Sequence, residues 1–415
     1  MYDQMIILSK HFPFNNGDTP AESYIEHEIN VLSKKAKNII VFACDAKQGS
    51  KITCSLPNNV EALALRKTSV KTFKIHSLLK GFKYFFNKPQ YVRDEFKNIK
   101  SLKQKLFLIY FLGKSDIKYS SVCKNYFFSN KKNIIVYNFW FFDTARVAVL
   151  LRDKIAGYNN KVKVISRAHR YDLYEEENSL NYLPLREWLI KNIDKVYPCS
   201  NDGTVYLNSK FPFLKQKIKT SFLGTIDYGI QNKSEEIPTV ISCSRLVPVK
   251  RVDKIISALR IIDDENIKLK WIHFGGGALL NELKEQAKGF KNIEIVFWEN
   301  VKNSELLNIY KNNYYKCFIN VSESEGLPIS IMEASSFGIP VIATDVGGTN
   351  EIIKTGENGY LIKKDFTSNM LAKQLLYILN LEENKYEKLR ENARKIWKSN
   401  FEYENNINKL FDTLV

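Results

Sequence analysis

No apolar run in this 415-residue sequence is long enough to span a bilayer, and no charged-then-apolar start marks a secretory signal. The chain is therefore expected to fold in the cytoplasm. Cysteine is scarce: Cys44, Cys54, Cys123, Cys199, Cys243 and Cys317 include no C-x-x-C pair. Several lie inside apolar strand-like runs and read as small buried side chains, which argues against a disulfide or zinc framework. The five histidines are scattered and make no metal pattern. No D-x-D acid pair is placed to hold a metal between phosphates. There is no low-complexity segment and no short-period repeat.

What the chain does have is a basic excess confined to one half. Residues 1–230 carry 37 Lys/Arg against 20 Asp/Glu, whereas residues 231–415 carry 25 of each. Residues 66–132 alone hold 17 basic and 3 acidic groups, interleaved with aromatics such as Phe73, Phe82, Tyr84, Phe85, Phe86 and Phe96. A basic, aromatic surface suits anionic lipid. It also suits nucleic acid, because charge alone does not separate the two. A solvated helix face over an aromatic core stripe is the plainer alternative.

The length allows two domains. Short apolar runs at Met5–Ser9, Asn38–Ala43, Val60–Leu65, Asn133–Tyr137, Val162–Ser166, Val196–Ser200 and Ile218–Leu223 alternate with helix-like stretches. A polar stretch at 231–238 reads as a linker. A second alternation follows, with strands at Thr239–Ser244, Leu269–Phe274, Ile293–Phe297, Cys317–Val321, Val341–Thr344 and Tyr360–Ile362. Such alternation predicts α/β domains with parallel sheets covered by helices. Domains are expected over 1–230 and 231–397.

The most informative stretch runs from Ser322 to Gly348. Glu325 and Glu333 stand eight positions apart, with Gly326, Leu327 and Pro328 as a turn that opens into a helix. The free N–H groups of a helix start suit phosphate, and the carboxylates suit hydroxyls beside it. A sugar next to a diphosphate fits both. The spacing resembles the E-x7-E element of retaining GT-B glycosyltransferases, glycosyltransferase family 4 in particular. The resemblance continues through Gly338–Gly348, Glu351 and Gly356–Tyr360. Ser244–Arg251 is similar to the family's G-R-L-x-x-x-K-G element, with Arg245 and Lys250 as the matching cations. Ser244 and Arg251 replace the family's glycines.

The resemblance implies the GT-B architecture, two doubly wound Rossmann-like domains facing a central cleft, with a terminal helix (398–415) returning to the first domain. It implies retention through front-face substitution, in which the leaving phosphate helps deprotonate the acceptor. Arg245 and Lys250 would stabilise the leaving diphosphate. Glu325 would bind donor sugar hydroxyls and Glu333 the ribose. His169, in Arg167-Ala-His-Arg-Tyr-Asp172, matches the strand-end histidine that meets the donor sugar. Asp172 reads as a positioning group. Gly17 matches the glycine turn near the diphosphate, and Gly275 and Gly276 the donor-cleft turn. Glu22, Glu26 and Glu28 face acceptor or solvent. Trp298 stands where the family has glycine.

The expected donor is a UDP-sugar first and GDP-mannose second, with no cofactor and no metal. The expected acceptor is lipid-linked or an oligosaccharide, used in surface polysaccharide synthesis at the inner face of the cytoplasmic membrane. No nucleic acid is expected as a partner. A nucleic-acid-binding protein would leave Glu325 and Glu333 without a role. A nicotinamide oxidoreductase would need G-x-G-x-x-G after the first strand, where His11-Phe-Pro-Phe14 stands. An inactive GT-B scaffold is the remaining alternative.

Overall fold

The computed structural model describes residues 1–14, 22–126, 132–158, 161–231, 237–299 and 301–414. The chain divides into two compact units. Met1–Ser221 forms the first, joined by Leu414, and Phe222–Thr413 forms the second.

In the first unit, β1 (Tyr2–Ser9), β2 (Ala36–Lys47), β3 (Val60–Arg66), β4 (Asn133–Asn138), β5 (Lys161–Ala168) and β6 (Lys195–Pro198) form one parallel sheet in the order β3-β2-β1-β4-β5-β6. The second unit repeats this connectivity. Its strands are β7 (Thr239–Cys243), β8 (Leu269–Phe274), β9 (Ile293–Trp298), β10 (Cys317–Asn320), β11 (Val341–Thr344) and β12 (Gly359–Ile362), in the order β12-β11-β10-β7-β8-β9. Central strands such as β10 and β11 are buried along their whole length, while the edge strands β3 and β9 are partly exposed. That contrast explains the unbroken apolar runs in the middle of each sheet. Both units are doubly wound α/β folds, and strand order reverses between β1 and β4 and between β7 and β10. Ligands of such sheets bind at the carboxyl ends of the strands beside this reversal.

The helices of the first unit that matter below are α1 (Ser23–Leu32), α2 (Val70–Phe86), α3 (Gln90–Asn98), α4 (Leu102–Asn125) and α5 (Asp143–Ala156). Among the described residues, no helix is long and apolar enough to cross a membrane.

Two expectations about the chain differ in detail. Ile218–Leu223 is not a strand; only Ile218 bridges to Val196. The unit boundary lies at 221/222 where 230/231 was expected, because residues 223–225 are tied to the C-terminal helices. Thr225 N–H donates to Phe401 O at 2.9 Å, and Trp397 Nε1 donates to Thr225 Oγ1 at 2.7 Å. A Cβ on Gly224 would lie 2.4 Å from Tyr403 Cα. The helix Tyr403–Asp412 accordingly groups with the second unit, and Leu414 groups with the first, its carbonyl accepting from Lys163. Gln231, at the start of the expected linker, is buried: its side chain pairs both ways with the Tyr315 backbone.

Candidate active site

In the second unit the reversal point lies between β7 and β10, and the loops leaving these two strands carry Lys250 and Glu325. Lys250 Nζ donates to Glu325 Oε1 at 2.6 Å, and Asn320 Nδ2 approaches the same oxygen at 3.3 Å. Arg245, in the same loop as Lys250, is exposed. Two cations and a carboxylate thus stand at the carboxyl ends of neighbouring strands. The position after Lys250 shows why a glycine suits it: Arg251 takes the left-handed conformation, with φ of 49°. Its guanidinium donates to the carbonyls of Val321, Ser322 and Lys364, at 2.8, 3.1 and 2.7 Å. These bonds tie the basic loop to the end of β10 and offset the strain.

The glycines of this region serve close backbone approach. Gly275 has φ of +125°, and a Cβ there would lie 2.2 Å from Ser244 O. Gly276 O accepts from Leu246 N at 2.9 Å. The glycine turn after β8 is therefore laid directly on the Arg245 loop. Gly347 has φ of +52°, and its Cβ would meet Glu325 O at 2.0 Å. Gly348 N donates to Gly326 O at 2.7 Å. The Gly347-Gly348 pair holds the Glu325 turn in place from the end of β11. Leu327 is buried, and Pro328 precedes the helix Ile329–Ser336.

Glu333 sits in that helix, 6 % exposed, with Asn303 Nδ2 donating to Oε1 at 2.7 Å. Burial pushes its pKa from the ordinary 4.5 up to about 7, against the pull of the Asn303 hydrogen bond. For a carboxyl raised in this way, the contribution to folding is full below about pH 4.5 and is lost as pH rises through about 7. Hydroxyl donors from a ligand favour the ionised form. A ligand whose hydroxyl met Glu333 would therefore release a fraction of a proton, roughly 0.5 at pH 7, and bind more tightly as pH rises from 6 to about 8. Calorimetry of UDP binding in buffers of different ionisation heat measures this. Glu333→Gln should abolish the proton release; an unchanged release in that variant would remove Glu333 from the binding event.

Trp298 ends β9. Its indole stacks on Phe274 with centroids 5.6 Å apart, and its carbonyl accepts from Gly275 N at 3.0 Å.

The first unit gathers a second set of groups at the ends of β1, β4 and β5. His169 follows β5 and caps the short helix Arg170–Leu173: its N–H donates to Asp172 Oδ1, while Phe141 N–H donates to Asp172 Oδ2, both at 2.6 Å. Asp172 thus positions the strand-end loops of β4 and β5. The imidazole lies 4.8 Å from both the Phe139 and Trp140 rings. Burial, then the charges of Arg167 and Lys10, push its pKa down to about 3, so the ring is neutral at neutral pH. Lys10 Nζ stands over Trp140 at 3.8 Å and over Tyr171 at 5.2 Å.

Two of the three N-terminal glutamates are not placed as expected. Glu22 is buried and accepts the backbone N–H groups of Lys10, His11 and Phe12, and the Trp140 indole N–H. One carboxylate thereby clamps the turn after β1. Glu28 is buried as well; it pairs with Arg167 at 2.7 Å and accepts the Tyr137 hydroxyl at 2.7 Å. Both are turned away from solvent. Glu26 is exposed. Gly17 lies outside the described residues. Lys10 and Trp140 follow strand ends, Asn320 ends β10 and Asn303 opens the helix after β9; no motif marked any of them in the sequence. Among the described residues, no three His, Cys, Asp or Glu side chains gather as a metal site requires.

Residues 227–396 match the family model for glycosyl transferases group 1. The chain is 30 % identical over 161 residues to the UDP-N-acetylglucosamine–peptide N-acetylglucosaminyltransferase GtfA subunit of Streptococcus pneumoniae, covering 37 % of this chain and 30 % of that protein. It is 38 % identical over 89 residues to the O-antigen biosynthesis glycosyltransferase WbnH of Escherichia coli, covering 21 % and 24 %. The match spans less than a third of either relative. The structure of Anabaena HepE in complex with UDP and glucose superposes with a TM-score of 0.60 at 14 % identity, over 100 % of this chain and 99 % of that one. That likeness shows the GT-B fold.

Proposed function

We propose that this chain, whose residues 227–396 match the family model for glycosyl transferases group 1, is a retaining glycosyltransferase. It moves a hexose or N-acetylhexosamine from a nucleotide sugar to a lipid-linked or saccharide acceptor during surface polysaccharide assembly. The observation that carries this reading is the Lys250–Glu325 contact of 2.6 Å beside Arg245, where strand order reverses in the second unit. As the glycosidic bond breaks, the electron pair passes to the diphosphate oxygen. Arg245 and Lys250 stabilise that growing charge more than they stabilise the ground state. The acceptor hydroxyl attacks from the same face, and its proton passes to the departing phosphate. Glu325 holds donor sugar hydroxyls and Glu333 the ribose. Two fixed cations neutralise the diphosphate, so transfer should persist after chelator treatment.

The donor is a UDP-sugar, with GDP-mannose second. UDP is supported by the HepE complex and by the UDP-N-acetylglucosamine donor of the GtfA relative. The enzyme works as a peripheral protein on the inner face of the cytoplasmic membrane. A polypeptide hydroxyl is a second acceptor class, favoured by the peptide-modifying relative.

A thermal-shift panel with UDP, GDP, ADP, CMP and NAD tests the donor site. UDP should raise Tm by several degrees at about a hundred times its Kd, the mass-action effect of roughly 2.7 kcal/mol. Arg245→Ala should lose most of that shift. If no nucleotide shifts Tm, or the variant responds like wild type, the inactive-scaffold alternative gains.

A further inference from the structure

α2 is apolar on two opposite faces, and only one of them is used by the fold. The inner face carries Phe73, Ser77, Gly81 and Tyr84, all buried. It meets α4 so closely that a Cβ on Gly81 would lie 2.0 Å from Ile109 O, and one on Gly113 1.8 Å from Ser77 O. The helix is thus firmly mounted along that side. Ile75, Leu79, Phe82 and Phe86 recur at spacings of four, three and four, which places them on a single stripe opposite the inner face. They are 52, 65, 37 and 94 % exposed.

The charge around this stripe is of one sign. α2 contains no Asp or Glu, and residues 66–93 hold eight Lys/Arg and no acid. Lys71 and Lys74 lie to one side of the stripe and Lys80 to the other, all exposed. Lys83 is committed to Asp116 at 2.5 Å, and Lys88 to the Phe96 ring at 4.0 Å.

We propose that the outward stripe of α2 lies in the plane of an anionic lipid bilayer. Ile75, Leu79, Phe82 and Phe86 enter the boundary between headgroups and acyl chains. Lys71, Lys74 and Lys80 run their stems along the apolar surface and hold their ammonium groups among the lipid phosphates. A nucleic acid would satisfy the lysines and leave Ile75 and Leu79 in water. A bilayer with acidic headgroups satisfies both parts. The surface deepens the lipid-linked acceptor reading, which gives such docking its purpose, but it can be tested without donor or acceptor.

The test is co-sedimentation of the full chain with phosphatidylcholine vesicles containing about 30 % phosphatidylglycerol, and with phosphatidylcholine alone. Wild type should bind the anionic vesicles on the order of tenfold better. Leu79→Glu combined with Phe86→Glu should lose on the order of tenfold in binding, with circular dichroism and the UDP thermal shift unchanged; both positions face water, so the fold tolerates them. Lys71→Glu with Lys74→Glu and Lys80→Glu should lose the preference for acidic lipid. Binding that ignores the Leu79/Phe86 double variant overturns the proposal. So does an absence of vesicle binding, whether alone or together with a concentration-dependent dimer that the double variant dissolves. An unchanged UDP shift alongside either failure would leave the transferase reading standing.

Discussion

Lys250→Ala should lower the rate of sugar transfer by roughly 10²–10³-fold, the scale seen when one fixed donor is removed from a developing charge. Far-UV circular dichroism should not change. Lys250 and Glu325 sit at the water-accessible end of the sheet, with side chains 20 % and 10 % exposed. Loss of the lysine leaves Glu325 in contact with Asn320 and solvent. The stability cost should therefore be modest, a Tm change of a few degrees. Glu325→Ala should be equally deficient in transfer for a different reason. Lys250 is neutralised by Glu325 at 2.6 Å, and a diphosphate must compete for it. Removing the carboxylate frees the ammonium, so UDP affinity should hold or increase while turnover collapses. Lys250→Ala should weaken UDP instead. Titration calorimetry beside single-turnover rates separates the two variants. Equal loss of UDP binding in both, or unfolding of both, would make the pair a structural link.

Lys118→Met should be among the most destabilising single changes in the first unit. Lys118 is 1 % exposed and bridges Asp45 at 2.8 Å and Asp143 at 2.6 Å. Lys114 stands 3.5 Å from Asp143 and 3.9 Å from Asp45. Burial alone would raise the pKa of both aspartates, but the two lysines outweigh it and hold both below the ordinary carboxylate range. Burial likewise opposes the charge on Lys118, and Asp143 and Asp45 overcome it. Methionine fills a similar volume and leaves the two desolvated carboxylates sharing Lys114, at 3.5 and 3.9 Å. Breaking such a buried set costs about 3–5 kcal/mol, roughly 6–20 °C in Tm for a unit of this size. Adding Asp45→Asn and Asp143→Asn should recover much of the loss. Because both aspartate pKa values are depressed, this stabilisation is present above the unfolded aspartate value of about 4 and disappears as pH falls through the folded values. A Tm for Lys118→Met within about two degrees of wild type, near the effect of an ordinary surface change, would show that the cluster is not an energetic centre of the fold.

Local sequence determines a large part of this protein. All twelve strands coincide with expected runs to within about four residues of their ends, and the one further run, Ile218–Leu223, is not a strand. Unbroken apolar runs such as Cys317–Asn320 and Val341–Thr344 can only be buried on both sides. The order of Arg245, Lys250, Glu325, Gly326 and Glu333 around those strands makes the second unit's candidate site legible without coordinates. Tertiary structure alone decides which charges meet. Glu22 and Glu28 look alike in one amphipathic segment, yet one clamps the turn after β1 and the other neutralises Arg167, 139 residues away. Gly347 reads as part of a motif, but its necessity comes from the Glu325 carbonyl that a Cβ would strike. Of the lysines in the basic stretch, Lys118 is sealed inside while Lys71, Lys74 and Lys80 face water. Periodicity and propensity act over a few residues and are written locally. Pairing between buried charges depends on the register of parallel strands and the packing of the helices that cross between them, which join residues far apart in the chain.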